Sequence, residues 1–324
     1  MSAQPTGRRT VAAAAGGVLA LVLTACGSSS VPDHSSMPGM AGMSRTATPG
    51  NSATTVPASS DPAMGGMDGM GGMDGMGGMD GMGAMATGDG LSAAKDGYRL
   101  KAATTRLPAG KAAGYRFTIM GPDGRPVTAF AVDQTERLHF YAIRTDLTGF
   151  QHLHPTMTAD GTWTAGLAAL QPGTWRLYAS FTPATGAGKG QDFVLSTTAT
   201  VPGTAMAKPL PRAAATATVD GYTVTVHGEL MAGMAHTFTV ALSKDGKPVT
   251  DLQPYLDAYA HLTAFHAGDQ AFAHLHPQTK VDGNHGGPAL TFHTELPQPG
   301  DWRLFLQFQT AGTLHTTALT LHAD

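Results

Sequence analysis

Phe150-Gln151-His152-Leu153-His154-Pro155 returns later in the chain as Phe272-Ala273-His274-Leu275-His276-Pro277. A six-residue echo with two histidines and a proline in the same places prompts a search for the rest of a repeat, because self-similarity sets the architecture before any local reading does. The flanks repeat as well. Gly97-Tyr98 matches Gly221-Tyr222, Asp123-Gly124-Arg125-Pro126-Val127-Thr128 matches Asp245-Gly246-Lys247-Pro248-Val249-Thr250, and Pro172-Gly173-Thr174-Trp175-Arg176-Leu177 matches Pro299-Gly300-Asp301-Trp302-Arg303-Leu304. An insertion near Asp282 to Pro288 is the one clear difference in length. The chain therefore reads as a tandem duplication, with copies over 91–205 and 213–324 and a linker near Pro202 to Arg212.

Each copy has many short β-like runs, punctuated about every ten residues by Asp-Gly or Pro-Gly, which predicts an all-β fold of two antiparallel β-sandwiches, immunoglobulin-like or cupredoxin-like. Arg137 to Arg144 is apolar on both faces, as a central strand would be. Trp175 and Trp302 each stand near the start of a strand and are expected to fill a core. No long segment has a 3.6-residue apolar period, so helix should be scarce.

Ahead of the repeats lie two segments of other kinds. Residues 1–26 have a secretory pattern: Arg8 and Arg9, then the apolar stretch Val11 to Leu23, then Leu23-Thr24-Ala25-Cys26. That ending resembles the bacterial lipobox, which implies acylation of Cys26 and cleavage before it. The expected location is the outer face of the cell membrane, held by lipid. Cys26 is the sole cysteine, so the mature chain has no thiol for disulfides, thiolate sites or catalysis. Cleavage removes two of 20 basic residues and none of 23 acidic ones, leaving 18 against 23 and a net charge of −5. An acidic balance argues against nucleic acid as a partner. Residues 27–90 hold almost no large apolar side chain except Met and are expected to be a disordered tether. A flexible coil of that length spans roughly 40–48 Å.

Within the tether, methionine falls on every third residue at Met64, Met67, Met70, Met73, Met76, Met79, Met82 and Met85, and earlier at Met37, Met40 and Met43. A Gly-rich chain has no face to pack, so the ladder asks for a chemical reason. Thioethers are soft neutral donors suited to Cu(I) and poor for Zn(II), Ca(II) or Mg(II). Glycine between them lets the chain fold around an ion at low steric cost. The ladder resembles the Met-rich segments of bacterial periplasmic copper-resistance proteins, which implies copper as the ion and a copper-transport protein or cuproenzyme as a partner. A plain spacer or a sacrificial oxidant scavenger would also tolerate such a run.

The histidines form a second candidate set. In a strand, i and i+2 face one side, so His152 with His154, and His274 with His276, can each address one ion. His139 precedes His152, and His261 precedes His274, by the same thirteen residues, so a third imidazole sits in register in both copies. Three imidazoles suit Cu(I), Cu(II) or Zn(II). The competing reading makes them hydrogen-bonded strand-end residues. The remaining histidines have no matched partner and are expected mostly to face solvent, with His285 and His293 close enough in sequence to join the second set. The Phe-x-His-Leu-His-Pro motif is similar to that of a group of secreted bacterial proteins of unassigned function. His-x-His on a sandwich is shared with multicopper oxidases, copper–zinc superoxide dismutases and cupins. The first needs a cysteine, and the others place further ligands after the pair, where the first copy has none before His227. With no nucleophile elbow, phosphate loop or His-Glu-x-x-His helix either, the expectation is no enzyme. What remains is a lipid-anchored copper-binding or copper-buffering protein, or else a sandwich module for protein or cell-wall contact.

Overall fold

The computed structural model describes residues 89–324, apart from the side chain of His276. Cys26 and both methionine ladders lie outside those residues. No helix is found among them, and each copy of the repeat is an antiparallel β-sandwich.

The first copy contains β1 (Ala94–Lys95), β2 (Tyr98–Ala102), β3 (Ala113–Met120), β4 (His139–Arg144), β5 (Gln151–Leu153), β6 (Thr156–Met157), β7 (Thr162–Leu167), β8 (Gly173–Phe181) and β9 (Phe193–Val201). One sheet has the order β1-β2-β3-β7-β6 and the other β5-β4-β8-β9. The second copy contains β10 (Thr216–Val219), β11 (Tyr222–His227), β12 (His236–Lys244), β13 (Lys247–Pro248), β14 (Ala260–His266), β15 (Phe272–Pro277), β16 (Ala289–Thr294), β17 (Gly300–Thr310) and β18 (Thr313–Ala323). Its order is β10-β11-β12-β16-β15-β14-β17-β18, which is the first copy's arrangement with the two sheets joined through β15. Strand β15 pairs with β14 over Phe272–Leu275 and with β16 at His276 and Pro277. In the first copy the same stretch breaks at His154-Pro155 into β5 on one sheet and β6 on the other. Proline has no N–H for the ladder, so the His-x-His-Pro motif marks the corner where the chain changes sheets.

Alternation does most of the folding. Strand β3 buries Tyr115, Phe117 and Ile119 and turns the residues between them outward. Trp175 and Trp302 are buried as expected, and each indole N–H donates to the carbonyl four residues back, Gln171 O at 2.9 Å and Gln298 O at 3.1 Å. Strand β4 departs from alternation, with all six residues buried, and β14 behaves likewise through Phe265. The reason is a second contact. The outer face of β4, β5 and β8 packs on the outer face of β14, β15 and β17, so Tyr141, Ile143, Leu147, Tyr178 and Val194 meet Phe265, Phe272 and Phe305 in a cluster distinct from either sandwich core. Phe150 stacks on Phe305 at 4.3 Å, and the Tyr178 hydroxyl donates to Gln270 O at 2.6 Å. Asp89 and Gly90 also contact the second sandwich and its seam: the Phe272 amide donates to Asp89 O at 2.7 Å, and Gly90 lies against Val194, Phe272 and Tyr178.

The segment joining the copies is pinned. Asp146 forms an ion pair with Arg144, accepts from the Thr148 hydroxyl at 2.6 Å, and accepts from the Lys208 amide at 2.8 Å. Burial pushes the Asp146 carboxyl up, but the Arg144 guanidinium, the Thr148 hydroxyl and the Lys208 amide outweigh it and hold the group well below the usual carboxylate range. A depressed carboxylate stabilises the fold above its unfolded pKa of about 4, and that stability is lost as pH falls toward the folded value. Asp146→Asn is expected to lower the unfolding free energy at pH 7 by about 2 kcal/mol. In urea titrations the variant should also lose stability less steeply than the wild type below about pH 4.

Candidate metal centre at the seam between repeats

The motif histidines are placed by the alternation that builds the cores. Leu153 and Leu275 point into their own sandwiches, so His152 and His274 point the other way, into the seam. Register completes the set. On β4 and β5, Tyr141 pairs with His152 and Phe140 with Leu153, which brings His139 beside the motif; on β14 and β15, Thr263 pairs with His274.

In the first copy, ring nitrogens of His139, His152 and His154 all lie within 4.8 Å of one another. Ring centroids are 5.3 Å apart for His139 and His152, 5.1 Å for His139 and His154, and 4.8 Å for His152 and His154. His139 is 2% exposed. The His152 ring stacks on Tyr141 at 4.4 Å. Burial pushes the proton affinity of all three down: His139 below its ordinary value, His152 well below it, and His154 to about 4. At neutral pH they are neutral imidazoles, the form that ligates metals.

The outer nitrogens are already committed. His139 Nε2 lies 3.1 Å from Asp133 O, and His152 Nδ1 lies 2.8 Å from Gln307 Oε1, an oxygen contributed by the second copy. Both partners are acceptors, so both outer nitrogens carry the hydrogen. That leaves His139 Nδ1 and His152 Nε2 as bare lone pairs facing each other at 3.1 Å. Two lone pairs at that distance repel unless a cation lies between them, and burial works against a proton in that role. Two nitrogens bound about 2.0–2.1 Å from one tetrahedral ion stand about 3.3 Å apart, close to what is seen. His154 Nε2 is buried with no hydrogen-bond partner among the described residues, so it is available as a third donor. Neutral imidazoles, each inner nitrogen backed by an outer N–H on an oxygen, fit copper or zinc.

A tight turn supplies the His139 acceptor. Asp133 and Glu136 exchange backbone hydrogen bonds around Gln134 and Thr135, whose φ angles are 46° and 69°. The second copy repeats the device: Tyr255 and Ala258 close around Leu256 and Asp257, at 54° and 58°, and His261 Nε2 sits 2.9 Å from Tyr255 O. Left-handed conformations cost non-glycine residues about 1–2 kcal/mol each, so their presence in both copies indicates that the carbonyl's position matters.

The second copy's histidines adjoin the first set. His274 lies 6.0 Å from His139, His261 lies 6.2 Å from His152, and His261 and His274 are 6.2 Å apart. His276 is on the same strand, two residues beyond His274, its backbone opposite His293. The other histidines divide. His227, His285 and His322 are exposed, whereas His236, His266 and His293 are half-buried. His315 departs from the expected exposure. It is 7% exposed, lies 2.7 Å from Asp220 Oδ2 and 3.1 Å from Thr310 Oγ1, and Thr310 in turn meets the Tyr222 hydroxyl at 2.6 Å. That chain has the connectivity of a hydrolase triad, but Thr310 is 2% exposed, so the contacts serve to pin the β17–β18 hairpin to β11. Met231 and Met234 are exposed beside His236, whose ring is occupied by the Met231 amide and Met234 O. Gln307 and Asp133 O were not legible as site groups; a trace of the former is that the repeats differ there, since Ser180 stands opposite His139 where Gln307 stands opposite His261.

The profile of a protein family described as "Domain of unknown function (DUF8832)" matches residues 93–199 and again 217–324. The chain belongs to that family. Each match covers one sandwich, so the family's unit is the single repeat and this member carries two. Among curated proteins none matches. Solved structures to which the chain shows similarity include the Escherichia coli adhesin FdeC, 14% identical over 71% of this chain with a TM-score of 0.23, and Yersinia pseudotuberculosis InvD, 17% identical over 71% with the same score. The chain spans 65% and 58% of the lengths of those two structures.

Gly149, just before the motif, tests how its strand is held. At φ 74° a Cβ there would come within 2.3 Å of Trp175 Cη2, whereas Gly124, at φ 75°, has open space. Gly149→Ala should lower the thermal midpoint well beyond Gly124→Ala, which carries the backbone cost alone; equal shifts would show that Trp175 yields freely.

Proposed function

We propose that this protein is a non-enzymatic, lipid-anchored copper-binding protein that buffers copper outside the cell membrane. The observation that carries the reading is the pair of facing lone pairs on His139 and His152, fixed by outer hydrogen bonds and adjoined by His154. That arrangement suits an ion better than an empty protein interior. The donor set has neither thiolate nor carboxylate, which favours copper or zinc over calcium or magnesium. The choice of copper leans on the sequence: the thioether ladder at Met64 to Met85 prefers Cu(I), and a soft-ion ladder tethered to imidazole sites is coherent as a capture-and-hold device. Cys26 provides the anchor in this reading, and a copper-transport protein or cuproenzyme would receive the ion.

Anaerobic competition for Cu(I) against a colorimetric chelator tests it. The mature chain should withdraw several equivalents. Replacing the eight methionines from Met64 to Met85 by Leu should remove most of that capacity and leave the imidazole-bound fraction. Adding His139→Ala, His152→Ala and His154→Ala should remove the rest. Failure of the mature chain to compete at all would sink the copper reading and favour an interaction module. For the anchor, Cys26→Ser should move the protein from the membrane fraction to the medium.

A further inference from the structure

A duplicated domain with a duplicated histidine motif leads one to expect two metal sites, one per repeat. The seam argues otherwise. We infer that the two histidine sets build a single centre that holds one ion per chain, with His139, His152 and His154 from the first repeat as donors, His274 from the second as the fourth, and Gln307 as a positioning residue. The inference rests on the metal-binding reading above and makes it more specific.

Three observations carry it. First, the outer partner of His152 belongs to the other repeat. Gln307 Oε1 takes the Nδ1 hydrogen at 2.8 Å, and its own Nε2 lies 3.4 Å from the Thr316 hydroxyl. The bare Nε2 of His152 therefore exists because the second repeat is docked. Outer hydrogen bonds of this kind set the tautomer and basicity of a ligand and are commonly worth 10–100-fold in metal affinity. The first repeat alone lacks that group, and its own counterpart, Ser180, is paired in register with His139.

Second, the sets interleave. His274 lies 6.0 Å from His139 across the seam, marginally nearer than the 6.2 Å to His261 within its own repeat. Four imidazoles around a tetrahedral ion have ring centroids about 5 Å apart, from metal–nitrogen distances of about 2.0–2.1 Å. The first three already meet that spacing at 4.8–5.3 Å, and His274 needs to approach by about 1 Å.

Third, charge disfavours a second ion. The clustered donors are neutral imidazoles, with no carboxylate among them. Two monovalent cations about 6 Å apart would weaken each other's binding about 100-fold at an effective dielectric of 20, and divalent ions far more. An ion on one set therefore disfavours an ion on the other, and His274 is better used as a ligand to the first.

The test uses the mature full-length chain with Cu(II), which thioethers hold poorly, read by electron paramagnetic resonance after unbound metal is removed. The expected result is one nitrogen-coordinated copper per chain with coupling to four nitrogens. His274→Ala should reduce the coupling to three. Gln307→Ala should weaken binding 10–100-fold with the nitrogen count kept, and Gln307→Glu, which retains an acceptor oxygen, should restore it. Two nitrogen-coordinated coppers per chain in the wild type would overturn the single shared centre while leaving metal binding intact; so would an unchanged spectrum in His274→Ala. No nitrogen-coordinated copper in the wild type, or a signal unaltered by His139→Ala with His152→Ala, would overturn the metal-binding reading together with this inference.

Discussion

The structure depends on one surface being buried twice. Strands β4 and β14 each give one face to their own sandwich and the other to the opposite repeat, and the second burial is driven by aromatic rings, with Phe150 on Phe305 and Tyr141 and Tyr178 against Phe272. Apolar contact of this size excludes water from whatever lies beside it. What lies beside it is imidazole. Burial there lowers the proton affinities of His139, His152 and His154, and docking the sandwiches face to face brings Gln307 to His152 and sets that ring's tautomer.

A consequence is that polar chemistry is held by apolar packing. Rings stacked on Tyr141 and backed by carbonyls have few rotamers to explore, so the mutual geometry of the imidazoles is set by packing alone. The left-handed residues at 134, 135, 256 and 257 belong to the same economy: local backbone cost is tolerated because it places the carbonyls of Asp133 and Tyr255 under His139 and His261.

Much of the fold was legible in the chain itself. The duplication could be read by eye, the alternation in β3 and β12 specified sandwich strands, and the tryptophans of the Pro-Gly-x-Trp turns went where bulk was needed. The double burial of β4 was visible as an apolar run on both faces, but its partner was not, since alternation says that a face is covered without saying by what. The site was half legible. Spacing in a strand predicts that His152 and His154 point together and that a neighbouring strand can bring His139. Nothing in periodicity brings Gln307 to His152, because that contact joins surfaces far apart in sequence through docking of two finished domains. His315 misled for a similar reason: a histidine with no matched partner in the other repeat reads as exposed, and only the hairpin's return onto β11 buries it against Asp220.

The seam has the character of a symmetric dimer interface, yet its halves share one covalent chain. In a true homodimer, each residue at the axis appears twice and must suit both of its surroundings at once. Fusion lifts that requirement. Position 180 is free to be serine while position 307 is glutamine, and the linker segment clipped by Asp146 keeps the unequal halves together at a high effective concentration. The chain has become an asymmetric pair in which each half can drift toward a separate task without losing its counterpart.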